Sequence, residues 1–158
     1  MRKTYSLEEL KTRLERYCAY QERCHQEVKN KLRQLGAYRD TSDAVISHLI
    51  QHDYLNETRF AMLYVRGKFS IKKWGKKRIV NELKLRKITT YNIDKGLKQI
   101  SDKDYQHTFD SLAQKRWEDL KKKKESIEKR KKKWVQYLQY RGWENDLIFG
   151  ALRKLTSN

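Results

Sequence analysis

The sequence predicts an all-α protein: three tandem three-helix repeats that stack into an elongated, curved array. Three observations carry that prediction. Apolar residues recur at intervals of three and four along the whole chain, the period of a helix with one buried face. The 158 residues include no proline, which helix interiors do not tolerate. And the apolar stripes recur as a group, the mark of a repeat architecture.

The elements follow in order. Ser6 with Glu9 three residues on is the capping-box arrangement, ahead of Leu7, Leu10, Leu14 and Tyr17. Val28, Leu32 and Leu35 form a second stripe that stops at Gly36. Val45, Ile46, Leu49 and Ile50 form a third, with Thr41 or Ser42 as the expected N-cap. A fourth helix, entered through Asn56, carries Phe60, Ala61, Tyr64 and Val65. Trp74 and Gly75 mark a turn into a fifth, whose inward face is Ile79 and Leu83 with Val80. Ile93, Leu97 and Ile100 give the sixth, and Tyr105, Phe109, Leu112 and Trp117 the seventh. Trp134, Val135 and Leu138 give the eighth, which halts at Gly142. Ile148, Ala151, Leu152 and Leu155 close the chain.

These helices fall into threes. In "EVKNKLRQLGA" (27–37), "RIVNELKLRKI" (78–88) and "WVQYLQYRGW" (134–143) an apolar residue is followed four positions later by Leu. The pairs are Val28 and Leu32, Ile79 and Leu83, Trp134 and Leu138. Five residues after each Leu stands another apolar residue: Ala37, Ile88 and Trp143. The expected repeats are 1–55, 56–101 and 102–158.

Charge is the second theme. The net charge is +18, yet 10 Tyr, 4 Trp and 4 Phe argue against disorder. The excess is local. Residues 1–50 hold ten Lys and Arg against seven Asp and Glu, whereas residues 66–87 hold ten against one, and 121–133 hold nine against two. Such density attracts polyanions over a distance. The candidate binding residues are Lys72, Lys73, Lys76, Lys77, Arg78 and Lys84 in one block. In the other they are Lys121, Lys122, Lys123, Lys124, Lys131, Lys132 and Lys133. The second block contains one apolar residue, Ile127, and also reads as a fraying helix end or connector. No zinc-finger pattern or aromatic RNA-binding motif is present to read bases.

Catalytic signals are missing. His48 and His52 lie four apart, but "HLIQH" lacks the glutamate of the zinc-protease pattern. Asp104 and His107 have no second such pair, and Gly67 and Gly75 are isolated rather than part of a phosphate loop. Cys18 and Cys24 fit no zinc spacing and are expected to be reduced, packed thiols. No catalytic residue, metal or cofactor is expected. No apolar run approaches the length of a membrane span, and the N-terminus lacks a secretory stretch, so the expectation is a soluble, cytoplasmic protein.

The segment "DYLNETRFAMLYVRGKFSIKKWGKKRIVNELKLRKI" (53–88) resembles the central motif of the RecX family, regulators of the RecA recombinase. The matching residues are Tyr54, Leu55, Asn56, Arg59, Phe60, Ala61, Tyr64, Gly75, Ile79, Glu82 and Leu83. Arg141, Gly142 and Trp143 in "YLQYRGW" resemble the family's Arg-Gly-Phe closure, with Trp in place of Phe, and "ERCHQEVKNKLRQLG" resembles its first repeat. Cys24 stands where the family often has a capping Ser. Lys87 stands where a Gly commonly ends the helix, so its C-cap is expected to differ. The resemblance spans roughly residues 15–155. It implies a curved helical monomer that binds the RecA filament in its groove on single- or double-stranded DNA and restrains ATPase and strand exchange. The reading that needs no RecA is a charge-driven, non-enzymatic DNA- or RNA-binding protein.

Overall fold

Local capping chemistry opens several of the helices. A computed structural model describes residues 3–157, and among them are nine α-helices and no strand. They are α1 Leu7–Tyr20, α2 His25–Gln34, α3 Arg39–Gln51, α4 Glu57–Ser70, α5 Lys76–Leu85, α6 Thr90–Leu97, α7 Asp102–Lys121, α8 Ile127–Tyr140 and α9 Asn145–Thr156. The Ser6–Glu9 capping box is formed, with both reciprocal bonds at 3.1 Å. Asn56 Oδ1 accepts the Arg59 N–H at 2.9 Å, opening α4, and Ser101 and Ser126 cap α7 and α8 in the same way. Cys24 precedes α2 without a side-chain cap bond to the backbone, as expected of a thiol in that place.

Two local expectations need correction. Helix α3 starts at Arg39 with Tyr38 as N-cap, so Thr41 and Ser42 lie inside the helix. The chain leaves the turn at Gly36 already extended at Tyr38 (φ −74°, ψ 160°), and the Tyr38 carbonyl takes the Ser42 N–H at 2.8 Å. No room remains for a later start. The end of α5 does not differ from its counterparts either. Lys87 adopts φ 58°, the left-handed conformation that Gly36 (φ 78°) and Gly142 (φ 89°) adopt after α2 and α8. The backbone conformation is shared and only the residue is unusual.

That turn explains the spacing of five. After α2 the Ala37 N–H bonds the Leu32 carbonyl at 3.1 Å and the Gly36 N–H bonds Arg33 at 3.0 Å. After α8 the Trp143 N–H bonds Leu138 at 3.1 Å and the Gly142 N–H bonds Gln139 at 3.0 Å. Both are Schellman endings, in which the residue after the left-handed position packs back on the helix. Leu32 and Ala37, Leu83 and Ile88, Leu138 and Trp143 occupy those two places.

The chain divides into two compact units. One runs to Leu63 and takes in Lys84–Gly96; the other comprises Tyr64–Leu83 and the chain from Leu97 onward. In the first unit, α1, α2 and α3 enclose Leu10, Leu14, Cys18, Val28, Leu32, Val45, Ile46, Leu49 and Leu55, with Tyr5, Tyr17 and Tyr54 against them. Phe60 and Ala61 are buried at the start of α4. Arg59 ties that start down: its Nε donates to Glu22, its Nη1 to Asp53 Oδ2 at 3.1 Å and its Nη2 to the Asp53 carbonyl at 2.9 Å. The bond to Glu22, ahead of the other charges, holds the guanidinium pKa above its ordinary value.

In the second unit the aromatic residues do the filling. Trp134 is fully buried, meets Trp117 edge-on at 6.0 Å, and donates its indole N–H to the Ala113 carbonyl at 2.9 Å. Trp143 lies tilted against Tyr105, with centroids 4.7 Å apart, and against Phe109 at 5.3 Å. Ile79 and Leu83 of α5 are wholly buried, and Val80 is half-buried. Two glycines approach without side chains between them. A Cβ on Gly75 would overlap the Gly142 carbonyl, and one on Gly142 would overlap the backbone of Arg78.

This contact predicts that Gly75→Ala destabilises the protein by about 1–3 kcal/mol, the usual cost of overpacking. Gly67→Ala and Gly150→Ala, both inside helices with open space around them, should instead stabilise by about 0.5–1 kcal/mol. Urea unfolding of the three variants checks the contrast. The thiols offer a pH test. Burial raises Cys18 and Cys24 from 9.0 to about 11. Between those values the unfolded chain has released protons that the folded one retains, so stability falls as pH rises. Urea midpoints should drop through that window, and the Cys18→Ser, Cys24→Ser variant should drop less steeply.

Candidate functional site

The first turn of α5 is electrostatically awkward. It begins Lys76, Lys77, Arg78, with no acidic residue, at the helix end where the backbone dipole is already positive. Its free N–H groups are satisfied from elsewhere in the second unit. Gly75 N–H donates to the Arg141 carbonyl at 2.8 Å and Lys77 N–H to the Gly142 carbonyl at 3.1 Å. Lys76 N–H donates to the Tyr105 hydroxyl at 2.9 Å, and that hydroxyl donates to the Glu144 carboxylate at 2.6 Å. Burial, and then the bond to Glu144, pushes the Tyr105 phenol well above its ordinary range. The phenol stays protonated and relays a carboxylate's influence to the helix start.

The same turn anchors the loop before α5. Trp143 Nε1 donates to the Lys73 carbonyl at 3.1 Å, and Arg141 donates to the Lys72 carbonyl. Lys73 sits at φ 57°. With their carbonyls bound inward, Lys72 and Lys73 are exposed, as is Lys77. Lys76 and Arg78 are half-buried. The Lys76 ammonium lies over the Tyr105 ring at 4.5 Å. The Arg78 guanidinium lies over both Trp74, at 4.1 Å, and Tyr140, at 4.6 Å, and its Nη1 donates to the Tyr140 carbonyl at 3.2 Å. Residues 66–81 contain no Asp or Glu. The structure therefore brings Lys72, Lys73, Lys76, Lys77 and Arg78 together around one turn. Lys84, also exposed, falls in the other unit.

The second basic block is built differently. Helix α7 ends at Lys121 and α8 begins at Ile127, so Lys122, Lys123 and Lys124 lie in the connector and Lys131, Lys132 and Lys133 on α8. Carboxylates are interleaved here. Lys121 meets Glu118 at 3.6 Å, Lys122 meets Asp119 at 4.0 Å, Lys131 meets Glu128 at 3.9 Å, and Lys133 pairs with Glu125. The bond from Lys133 lowers the Glu125 pKa. The residues that sequence reasoning missed are Trp74, Tyr105, Tyr140 and Glu144, which position the first block. Trp74 was visible as a turn marker and Tyr105 as a core residue, but nothing in the sequence tied either to the cations.

His48 Nε2 lies 2.7 Å from Glu15, and the His48 and His52 rings are 4.4 Å apart. Among the described residues no group of three or more His, Cys, Asp or Glu converges on a metal-sized site, and no helix is long and apolar enough to cross a membrane.

Comparison with known proteins decides the family. Family models of RecX match here, the second three-helix domain over residues 56–97 and the third over residues 103–152. The regulatory protein RecX of Vibrio campbellii is 31% identical over 126 residues, covering 80% of this chain and 78% of the relative. The chain belongs to the RecX family. A RecX of Clostridium perfringens strain SM101 is 26% identical over 84% of this chain, which spans 61% of that relative's length. The crystal structure of RecX from Lactobacillus salivarius superposes with a TM-score of 0.80 at 26% identity, covering 96% of this chain and 97% of that one. This chain thus shares its all-α fold with that RecX structure.

Proposed function

We propose that this RecX protein is a non-enzymatic regulator of the RecA recombinase. It binds the RecA filament on DNA and slows ATP hydrolysis and strand exchange, acting as a cytoplasmic monomer without a cofactor. The observation that carries the reading is the ordered match of the RecX domains. The cation cluster around the start of α5, in a stretch (66–81) with no Asp or Glu of its own, supports it, because such a surface complements a filament that carries DNA phosphate. Regulation of this kind needs only that the protein bind one filament state better than another.

The decisive experiment is the ATPase rate of a cognate RecA on single-stranded DNA with increasing amounts of this protein. Inhibition should saturate below one molecule per RecA subunit and persist in chelator. Leu83→Asp, which places a charge at a fully buried position, should abolish it. DNA binding with an unchanged ATPase rate at molar excess would replace this reading with that of a charge-driven nucleic-acid binder, which the net charge of +18 favours.

The cation cluster has its own test. Changing Lys72, Lys73 and Lys77 to Glu should weaken binding to filament or DNA most at low salt. Three lost phosphate contacts should lower the slope of log affinity against log salt by roughly 2. An unchanged slope would leave Lys121 to Lys124 and Lys131 to Lys133 as the contact.

A further inference from the structure

Tyr140 is the last residue of α8 and is 75% exposed; Tyr20 and Tyr38 are more exposed still, at 84% and 81%. The Tyr140 ring is not loose. The Arg78 guanidinium lies 4.6 Å from its centroid and 4.1 Å from that of Trp74, so Trp74, Arg78 and Tyr140 form one stack. The bond from Arg78 to the Tyr140 carbonyl at 3.2 Å fixes the arrangement from the backbone side. The guanidinium lies over the Tyr140 ring, and three quarters of the residue stays exposed. Tyr137, one turn back on the same helix, is a useful contrast: guanidinium groups lie over its ring from Arg116 at 4.5 Å and from Arg141 at 4.7 Å. Tyr137 is packed into its surroundings, whereas Tyr140 is presented.

Around this stack lie Lys72 and Lys73, immediately before Trp74, and Lys77, immediately before Arg78, all exposed. A pre-ordered, largely exposed ring, set among exposed cations, matches the chemistry of an unpaired nucleotide. The base stacks on the π-face, and the phosphates on either side meet ammonium groups. A duplex hides its base faces in its own stack and offers only the phosphates. We propose that the Trp74–Arg78–Tyr140 stack is a base-stacking platform for single-stranded DNA, so that this protein contacts the strand directly and not by charge alone. The choice of DNA rests on the filament reading above; the stacking geometry does not.

The test uses the full chain and no RecA, so its failure bears on the platform only. Affinities for a labelled oligothymidylate and for heparin, a polyanion without bases, are measured for the unchanged protein, Tyr140→Ala and Tyr140→Phe. Tyr140→Ala should weaken oligothymidylate binding by roughly tenfold, as removal of one stacking side chain does. It should leave heparin binding and the salt slope for both ligands unchanged, and Tyr140→Phe, which keeps the ring, should bind like the unchanged protein. Equal loss on heparin and oligothymidylate would overturn the proposal, because the ring would then serve only to hold the cation cluster. Unchanged oligothymidylate binding would overturn it as well.

Discussion

The backbone contact between Gly75 and Gly142 is the constraint on which the arrangement of the second unit rests. A basic helix cannot start well on its own: three cations in the first turn oppose the dipole, with no acidic residue beside them in that turn. The carbonyls of Arg141 and Gly142 and the Tyr105 hydroxyl supply what local sequence does not. They reach the α5 amides because neither glycine has a side chain to hold the backbones apart. Gly142 therefore meets two demands at once. It takes the left-handed φ that ends α8, and it leaves space for Arg78.

From that contact the surface chemistry follows. The residues flanking Gly142, Arg141 and Trp143, bond the carbonyls of Lys72 and Lys73 and so set the direction of the loop before α5. Lysines that a flexible loop would scatter are thereby displayed on a fixed backbone. Arg78 and Lys76 lie against aromatic rings, which lowers the cost of crowding like charges by offering each an electron-rich face. The block around the α7–α8 connector uses ordinary carboxylate pairing instead. Two segments that look alike in composition are thus different objects. One is partly neutralised by carboxylates where it stands; in the other, Lys76 and Arg78 lie on rings while Lys72, Lys73 and Lys77 are exposed.

The first unit relies on a different device. Arg59 gathers Glu22, the Asp53 side chain and the Asp53 carbonyl, fastening the start of α4 to the two preceding loops. The planar fork of arginine suits three acceptors in different directions, which lysine could not serve equally. Cys18 and Cys24 are buried free thiols, and burial raises the pKa of both.

Much of the fold was legible in the sequence because it depends on local rules. The Ser6–Glu9 box, Asn56 before α4, the stops at Gly36 and Gly142, and the inward stripe of Ile79 and Leu83 involve residues within a few positions of each other. The spacing of five after each Leu was visible too, as the Schellman turn repeats in the backbone. Local rules erred where a neighbouring turn took over. Tyr38 starts α3 because the chain arrives there already extended, and Lys87 takes a left-handed φ that its side chain does not favour. The candidate site was legible only as charge. That Lys72, Lys73 and Lys77 stand clear while Arg78 is stacked between Trp74 and Tyr140 depends on residues some sixty positions apart. The bonds that α5 donates to the Tyr105 hydroxyl and the Gly142 carbonyl are non-local as well. Composition and periodicity determined that this chain folds as basic helices. Only the tertiary structure decided which cations share a surface, because non-local backbone contacts leave no periodic trace in the sequence.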